Sequence, residues 1–248
     1  MLKDQVDSPR TDLAETIRRA LSPRPAGPGF AVRGAENVRP ITMPPWFIDR
    51  CRRAYLSGMT EDADGCRVIG VTSALRGEGK TSLAIGIAMA LAADTQRPTL
   101  LLECDMERPS FDRYFGFESR TGLVDWLDGS STLRILRGGP LVNLFVIPSG
   151  APRTDPSHLF YQLSEGGSIA ELRRHFASVV IDLPPMLSIA YSSLASQLSE
   201  KILLVARYGV TPIEDIEKAV FLLGRERLSG IVLNGTEYRT PEGMRRLL

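Results

Sequence analysis

Val68-Ile-Gly-Val-Thr-Ser-Ala-Leu-Arg-Gly-Glu-Gly-Lys-Thr-Ser82 reads as an apolar strand that breaks into a glycine-rich loop and runs on into a helix. Gly77 and Gly79 let the backbone turn where a side chain would clash, so successive N–H groups can point at phosphate oxygens, helped by the positive end of the helix that follows. Lys80 is a mobile point charge for β- and γ-phosphates, and the Thr81 hydroxyl is the expected magnesium ligand. Arg76, Gly77, Glu78, Gly79, Lys80, Thr81 and Ser82 together form the expected nucleotide-binding loop. The pattern G-x-x-x-x-G-K-[ST] is met except at its first glycine, where Ala74 stands.

From Arg67 onward, short β-rich runs alternate with helical patterns: Val68–Thr72, Thr99–Leu102, Leu144–Ile147, Val179–Ile181, Ile202–Ala206 and Ile231–Leu233. Most are continuously apolar, as strands buried on both faces are, and the lengths between them suit crossover helices. The expectation is an α/β fold, a doubly wound and mostly parallel sheet of the P-loop NTPase type. In such a sheet ligands sit at the carboxyl ends of the strands. Residues 46–248 are assigned to this domain and residues 1–45, rich in Pro, Gly and Arg, to a flexible arm with one short helical pattern from Asp12 to Leu21.

Two stretches place acids at strand ends. In Leu100-Leu-Leu-Glu-Cys-Asp-Met-Glu-Arg-Pro-Ser110, Glu103 and Asp105 alternate in an extended segment and are expected to face one side, toward the phosphates. There they could hold magnesium or take a proton from an attacking hydroxyl. In Val180-Ile-Asp-Leu-Pro-Pro185, Asp182 ends an apolar run in a Walker B arrangement, within reach of the metal's water shell. Asn234 ends the last run; its amide admits two readings, an adenine contact or an ordinary Asn-Gly turn. The loop Ile147-Pro-Ser-Gly-Ala-Pro-Arg-Thr-Asp-Pro156 either lines the substrate side or connects.

Composition narrows the partners. Thirty Lys+Arg against 29 Asp+Glu leave a net charge of +1, so no overall field points to nucleic acid. Cys51, Cys66 and Cys104 are scattered, and with His158 and His175 they lack metal-ligand spacing; a reducing cytosol fits. No apolar run approaches the roughly 20 residues that span a bilayer, and the N-terminus has no signal-peptide core. A helix from Phe47 to Leu56 carries Phe47, Cys51 and Tyr55 on one side and Arg50 and Arg53 on a neighbouring stripe, which suits either a solvated face or self-association.

Taken together, the phosphate loop, the paired acids, Pro148-Ser-Gly150 with Asp155-Pro156, Asp182-Leu-Pro-Pro185 and the final Val232-Leu-Asn234 resemble the bacterial tyrosine kinase (BY-kinase) family, a branch of the MinD/ParA-type P-loop ATPases. MinD/ParA members usually carry an extra lysine early in the loop, and none precedes Lys80 there. The resemblance implies transfer of the γ-phosphoryl group of ATP, with Mg²⁺, to tyrosine of a protein in trans, in control of capsule or exopolysaccharide polymerisation and export. It makes Lys80, Glu103, Asp105 and Asp182 the catalytic set and Thr81, Asp105 and Asp182 the metal set. It also implies a cytoplasmic protein drawn to the inner face of the membrane by the cytosolic tail of a separate transmembrane activator, and a homo-oligomer built on the Arg50/Arg53 helix.

Four positions depart from the family's pattern. Glu103 stands where an Asp is usual, so a base there would be shifted by more than an ångström, an impairment that Glu103→Asp would relieve. Glu107 replaces an Arg, Phe47 replaces the Glu of the oligomerisation helix, and Tyr238 is the only tyrosine of the tail. These departures suit a second reading, an ATP-binding regulator of the export machinery with weak or no catalysis. A third is a MinD/ParA-type positioning ATPase, against which stand the absent early lysine and the lack of a terminal amphipathic helix.

Overall fold

The structure is a computed structural model; it describes residues 13–22, 43–58, 67–117, 121–138 and 141–236. In chain order the elements are α1 (Leu13–Leu21), α2 (Pro45–Gly58), β1 (Arg67–Ser73), α3 (Lys80–Thr95), β2 (Thr99–Glu103), α4 (Phe111–Phe115), α5 (Leu123–Leu127) and β3 (Leu136–Arg137). Then follow β4 (Leu144–Ile147), α6 (Ser157–Glu165), α7 (Ser168–His175), β5 (Ser178–Asp182), α8 (Ser192–Ser196), β6 (Lys201–Arg207), α9 (Ile213–Leu223) and β7 (Leu228–Asn234). Cys66 and Tyr238 lie outside the described residues.

The strands form one seven-stranded sheet in the order β3-β4-β2-β5-β1-β6-β7, parallel throughout except for the antiparallel β3–β4 pair. All six expected runs are strands; the short edge strand β3 was not anticipated. Alternate residues of each strand face opposite layers. Leu100, Leu102, Val179 and Ile181 pack beneath α1, α5, α6, α7 and α8, whereas Leu101, Val71, Val180 and Val205 pack beneath α2, α3 and α4. Helix α3 is apolar on every side, Ile85, Ile87, Ala88 and Leu91 all being buried, because it is sandwiched between the sheet and α2. Gly86 permits that close approach: a Cβ there would lie 2.4 Å from Cys51 Sγ and 2.9 Å from the Phe47 ring.

Part of the expected arm belongs to the core. Ile17 and Ala20 of α1 are buried in the first layer, and the Arg137 guanidinium donates to Ala20 O and Ser22 O at 2.7 Å each. The rest of residues 1–45, apart from 43–45 at the start of α2, lies outside the described residues. Among the described residues no helix is long and apolar enough to cross a membrane.

What this topology does for a site is to put β5 between β1 and β2. Val71 pairs with Asp182, and Glu103 pairs with Asp182 across the other side, so the glycine-rich loop and both acidic strand ends meet at the carboxyl ends of the sheet's middle strands.

Candidate active site

The loop between β1 and α3 turns through two left-handed glycines, Gly77 at φ +82° and Gly79 at φ +93°. Both conformations favour glycine, and at Gly79 a Cβ would also meet Asn234 Nδ2 at 2.1 Å. Glu78 is turned inward and buried: its carboxylate accepts from the Leu75 amide at 2.9 Å and from the Thr211 hydroxyl. Asn234 Nδ2 donates to Glu78 O at 2.8 Å, and Asn234 Oδ1 accepts from Gly235 N at 2.9 Å. Glu78 and Asn234, expected at the nucleotide, thus brace the loop's outer curve in this arrangement.

Four expected site residues converge where β1, β5 and β2 end. Lys80 Nζ lies 2.9 Å from Asp105 Oδ2 and 3.3 Å from Asp182 Oδ1, and the Thr81 hydroxyl donates to Asp182 Oδ2 at 2.8 Å. Burial works against the Lys80 ammonium, but the two carboxylates outweigh it and hold its pKa above the ordinary value. Asp105 Oδ1 is buried with no hydrogen-bond partner among the described residues. An open cavity of about 580 Å³ lies over this cluster, bordered by Arg76, Gly77, Thr81 and Ser82 on the loop side and by Arg108, Ser110, Arg113 and Tyr114 on the other.

Glu103 does not join Asp105 at that cavity. β2 ends at Glu103, so the two-residue alternation that would have aligned the acids stops there. Its carboxylate is 1 % exposed and accepts from the backbone amides of Ser110 at 2.5 Å, Phe111 at 2.8 Å and Ser149 at 2.9 Å. Burial pushes this carboxyl up to about 7, against the pull of the three amides. Of the two readings open for the loop after β4, the structure places Ser149 behind the acids, on Glu103, with Gly122 so close that a Cβ would lie 2.3 Å from Pro148 O.

Glu107 faces the loop and pairs with Arg76 at 2.9 Å. Arg108, Arg113, Tyr114 and Thr211 were not singled out for this cavity or its loop. Tyr114 reaches it from α4, its hydroxyl 2.9 Å from that of Ser82. A smaller apolar cavity of about 180 Å³ lies on the far side of Gly79, between Trp46 and Phe47 of α2 and Val232 and Asn234 of β7. On α2, Arg50 and Arg53 are exposed, Arg50 stacking 5.2 Å from the Trp46 ring centroid.

Beside the Lys80 ammonium, the groups of the cluster able to hold a metal are all oxygens: one hydroxyl and two buried carboxylates, with one carboxylate oxygen unpartnered among the described residues. That is the donor set of a hard divalent cation such as Mg²⁺ beside phosphate, and Thr81, Asp105 and Asp182 fit it.

No family model matches the chain. It is 32 % identical over 188 residues to the tyrosine-protein kinase CpsD of Streptococcus pneumoniae, covering 74 % of this chain and 80 % of that protein. It is 30 % identical over 178 residues to the succinoglycan biosynthesis transport protein ExoP of Rhizobium meliloti, 69 % of this chain but 22 % of that much longer protein. The fold is that of the kinase domain of the Escherichia coli tyrosine kinase ETK, with a TM-score of 0.69 at 23 % identity over 78 % of this chain and 77 % of that one. With its phosphate loop, its strand-end acids and a likeness to CpsD that spans most of both proteins, the chain belongs to the bacterial tyrosine-protein kinase family.

Proposed function

We propose that this chain transfers the γ-phosphoryl group of Mg-ATP to a tyrosine hydroxyl of a protein acceptor, as a kinase of capsule or exopolysaccharide production. The observation that carries the reading is the cluster of Lys80, Thr81, Asp105 and Asp182 beneath an open cavity of about 580 Å³. Family membership supports it, as does the ExoP likeness for the link to polysaccharide.

In the reaction the tyrosine oxygen forms a bond to the γ-phosphorus, the bond to the β–γ bridging oxygen breaks, and ADP leaves. Backbone amides of the loop from Gly77 to Thr81 hold the β-phosphate, and Lys80 leaves its two carboxylates to follow the charge on the β- and γ-oxygens. Thr81 and Asp182, with Asp105 through its other oxygen, Oδ2, would hold Mg²⁺, which when bound neutralises charge on those oxygens. Asp105 Oδ1, the carboxylate oxygen without a partner among the described residues, receives the proton of the acceptor hydroxyl. Transfer of labelled phosphate from Mg-ATP to a tyrosine-bearing copolymer, lost in Lys80→Met, tests the reading.

The partner we propose is the cytosolic part of a membrane-bound polysaccharide export protein, which would recruit the chain to the membrane and supply or present the tyrosine. One observation favours a second reading, an ATP-dependent regulator without phosphotransfer: two acids near the site are committed elsewhere, Glu103 to three backbone amides and Glu107 to Arg76. Tight Mg-ATP binding with no transfer to any tyrosine would favour it.

A further inference from the structure

We propose that Glu103 is a positioning residue rather than a base: its carboxylate is the clamp that closes the Cys104–Pro109 loop and so sets where Asp105 and the α4 wall stand against the phosphates. The inference rests on the kinase reading for its kinetic consequences only.

The geometry is specific. One oxygen, Oε1, accepts from Ser110 N and Phe111 N, and the other, Oε2, from Ser149 N. The Ser110 and Phe111 bonds join the two ends of the loop that carries Asp105, Glu107 and Arg108. The Ser149 bond ties that loop to the turn after β4. α4 needs such a tie, since the Ser110 side chain makes no capping bond to it. From α4, Arg113 and Tyr114 border the phosphate cavity, and Tyr114 reaches Ser82. A carboxylate whose two oxygens are spent on three amides, 1 % exposed, is not placed to receive a substrate proton.

Reach is what glutamate supplies. Aspartate is shorter by about 1.5 Å, one carbon–carbon bond, and cannot hold the Ser110/Phe111 pair and Ser149 together. Glutamine keeps the length and one carbonyl oxygen, so it can retain the Ser110/Phe111 pair while losing Ser149 to its NH₂ group.

The test uses the full chain with Glu103→Asp and Glu103→Gln, read by amide hydrogen exchange at Ser110, Phe111 and Ser149 and by phosphotransfer to a tyrosine copolymer. Glu103→Gln is expected to lose protection at Ser149 alone, and Glu103→Asp at one end of the clamp or both, the Ser110/Phe111 pair or Ser149, by tenfold or more. In turnover, Glu103→Asp is expected to fall about 10- to 100-fold in kcat with ATP affinity within about twofold of the parent, and to lie below Glu103→Gln. A base at this position requires the opposite order, aspartate above glutamine, and that order would overturn the proposal. So would unprotected amides in the parent chain, or unchanged protection in Glu103→Asp. Exchange needs no turnover, so a parent chain that transfers no phosphate yet protects these amides sinks the kinase reading and leaves the clamp standing.

Discussion

Glu107 Oε2 sits 2.9 Å from Arg76 Nη2, an ion pair between the acid loop and the phosphate loop, each side chain about a quarter exposed. Arg76 borders the cavity proposed for the phosphates, so on that reading Glu107 would compete with the nucleotide for its guanidinium and add a negative charge beside it. Glu107→Gln is expected to tighten Mg-ATP binding about two- to tenfold, with the gain shrinking as salt is raised. Titration calorimetry at two ionic strengths checks this; unchanged or weaker binding would show that Glu107 does not restrain Arg76.

Lys80 is the cation that two buried carboxylates share. Lys80→Met is expected to abolish phosphotransfer and to destabilise the nucleotide-free protein by about 3–5 kcal/mol, because Asp105 and Asp182 lose their counter-charge. Mg²⁺ alone should then raise the melting temperature of Lys80→Met more than that of the parent chain. Equal metal effects in differential scanning fluorimetry would contradict the shared-cation account.

Gly79 is the loop position where both backbone and space demand glycine, with φ +93° and Asn234 Nδ2 at 2.1 Å from a would-be Cβ. Gly79→Ala should displace Asn234 from Glu78 O and weaken ATP binding by tenfold or more, while the circular dichroism spectrum stays that of the parent. Retained affinity would mean that the loop does not bind phosphate in the curve described.

Helix α2 is fastened to α3 by Asp94, which takes Arg52 through Nε at 2.6 Å and Nη2 at 2.7 Å and the Tyr55 hydroxyl at 2.8 Å. The Arg52 hydrogen bonds hold the Asp94 carboxyl below the usual carboxylate range. A depressed carboxyl contributes stability that is fully present above the unfolded pKa and lost as pH falls through the lower folded one. Asp94→Asn should therefore lower stability by about 1 kcal/mol at pH 7, and the difference from the parent should vanish under acid conditions. Urea melts at several pH values check both halves.

The sheet was legible because its strands are buried on both faces, and continuous apolar runs such as Leu100–Leu102 and Val179–Ile181 leave no other home. β3 was not, because two residues, Leu136 and Arg137, carry no period. Nor was the docking of α1, whose Ile17 and Ala20 are the only buried positions in a nine-residue helix preceded and followed by arm-like composition. Within the site, the loop and strand-end acids could be read since each sits beside its own strand. What Glu103 does could not, since its donors lie at Ser110, Phe111 and Ser149, the last 46 residues away. The brace from Thr211 to Glu78 spans 133 residues and left no local pattern either.

Whether Lys80, Asp105 and Asp182 carry phosphate to tyrosine can be read from a single reaction. The measurement is phosphotyrosine, by mass spectrometry and by antibody, after the purified chain is incubated with Mg-ATP and a tyrosine-bearing copolymer, with Lys80→Met and Asp105→Asn beside it. The account predicts phosphotyrosine with the parent chain, none with Lys80→Met, and at least a hundredfold less with Asp105→Asn. Phosphotyrosine that persists in Lys80→Met, or none from a parent chain that binds Mg-ATP, would contradict it.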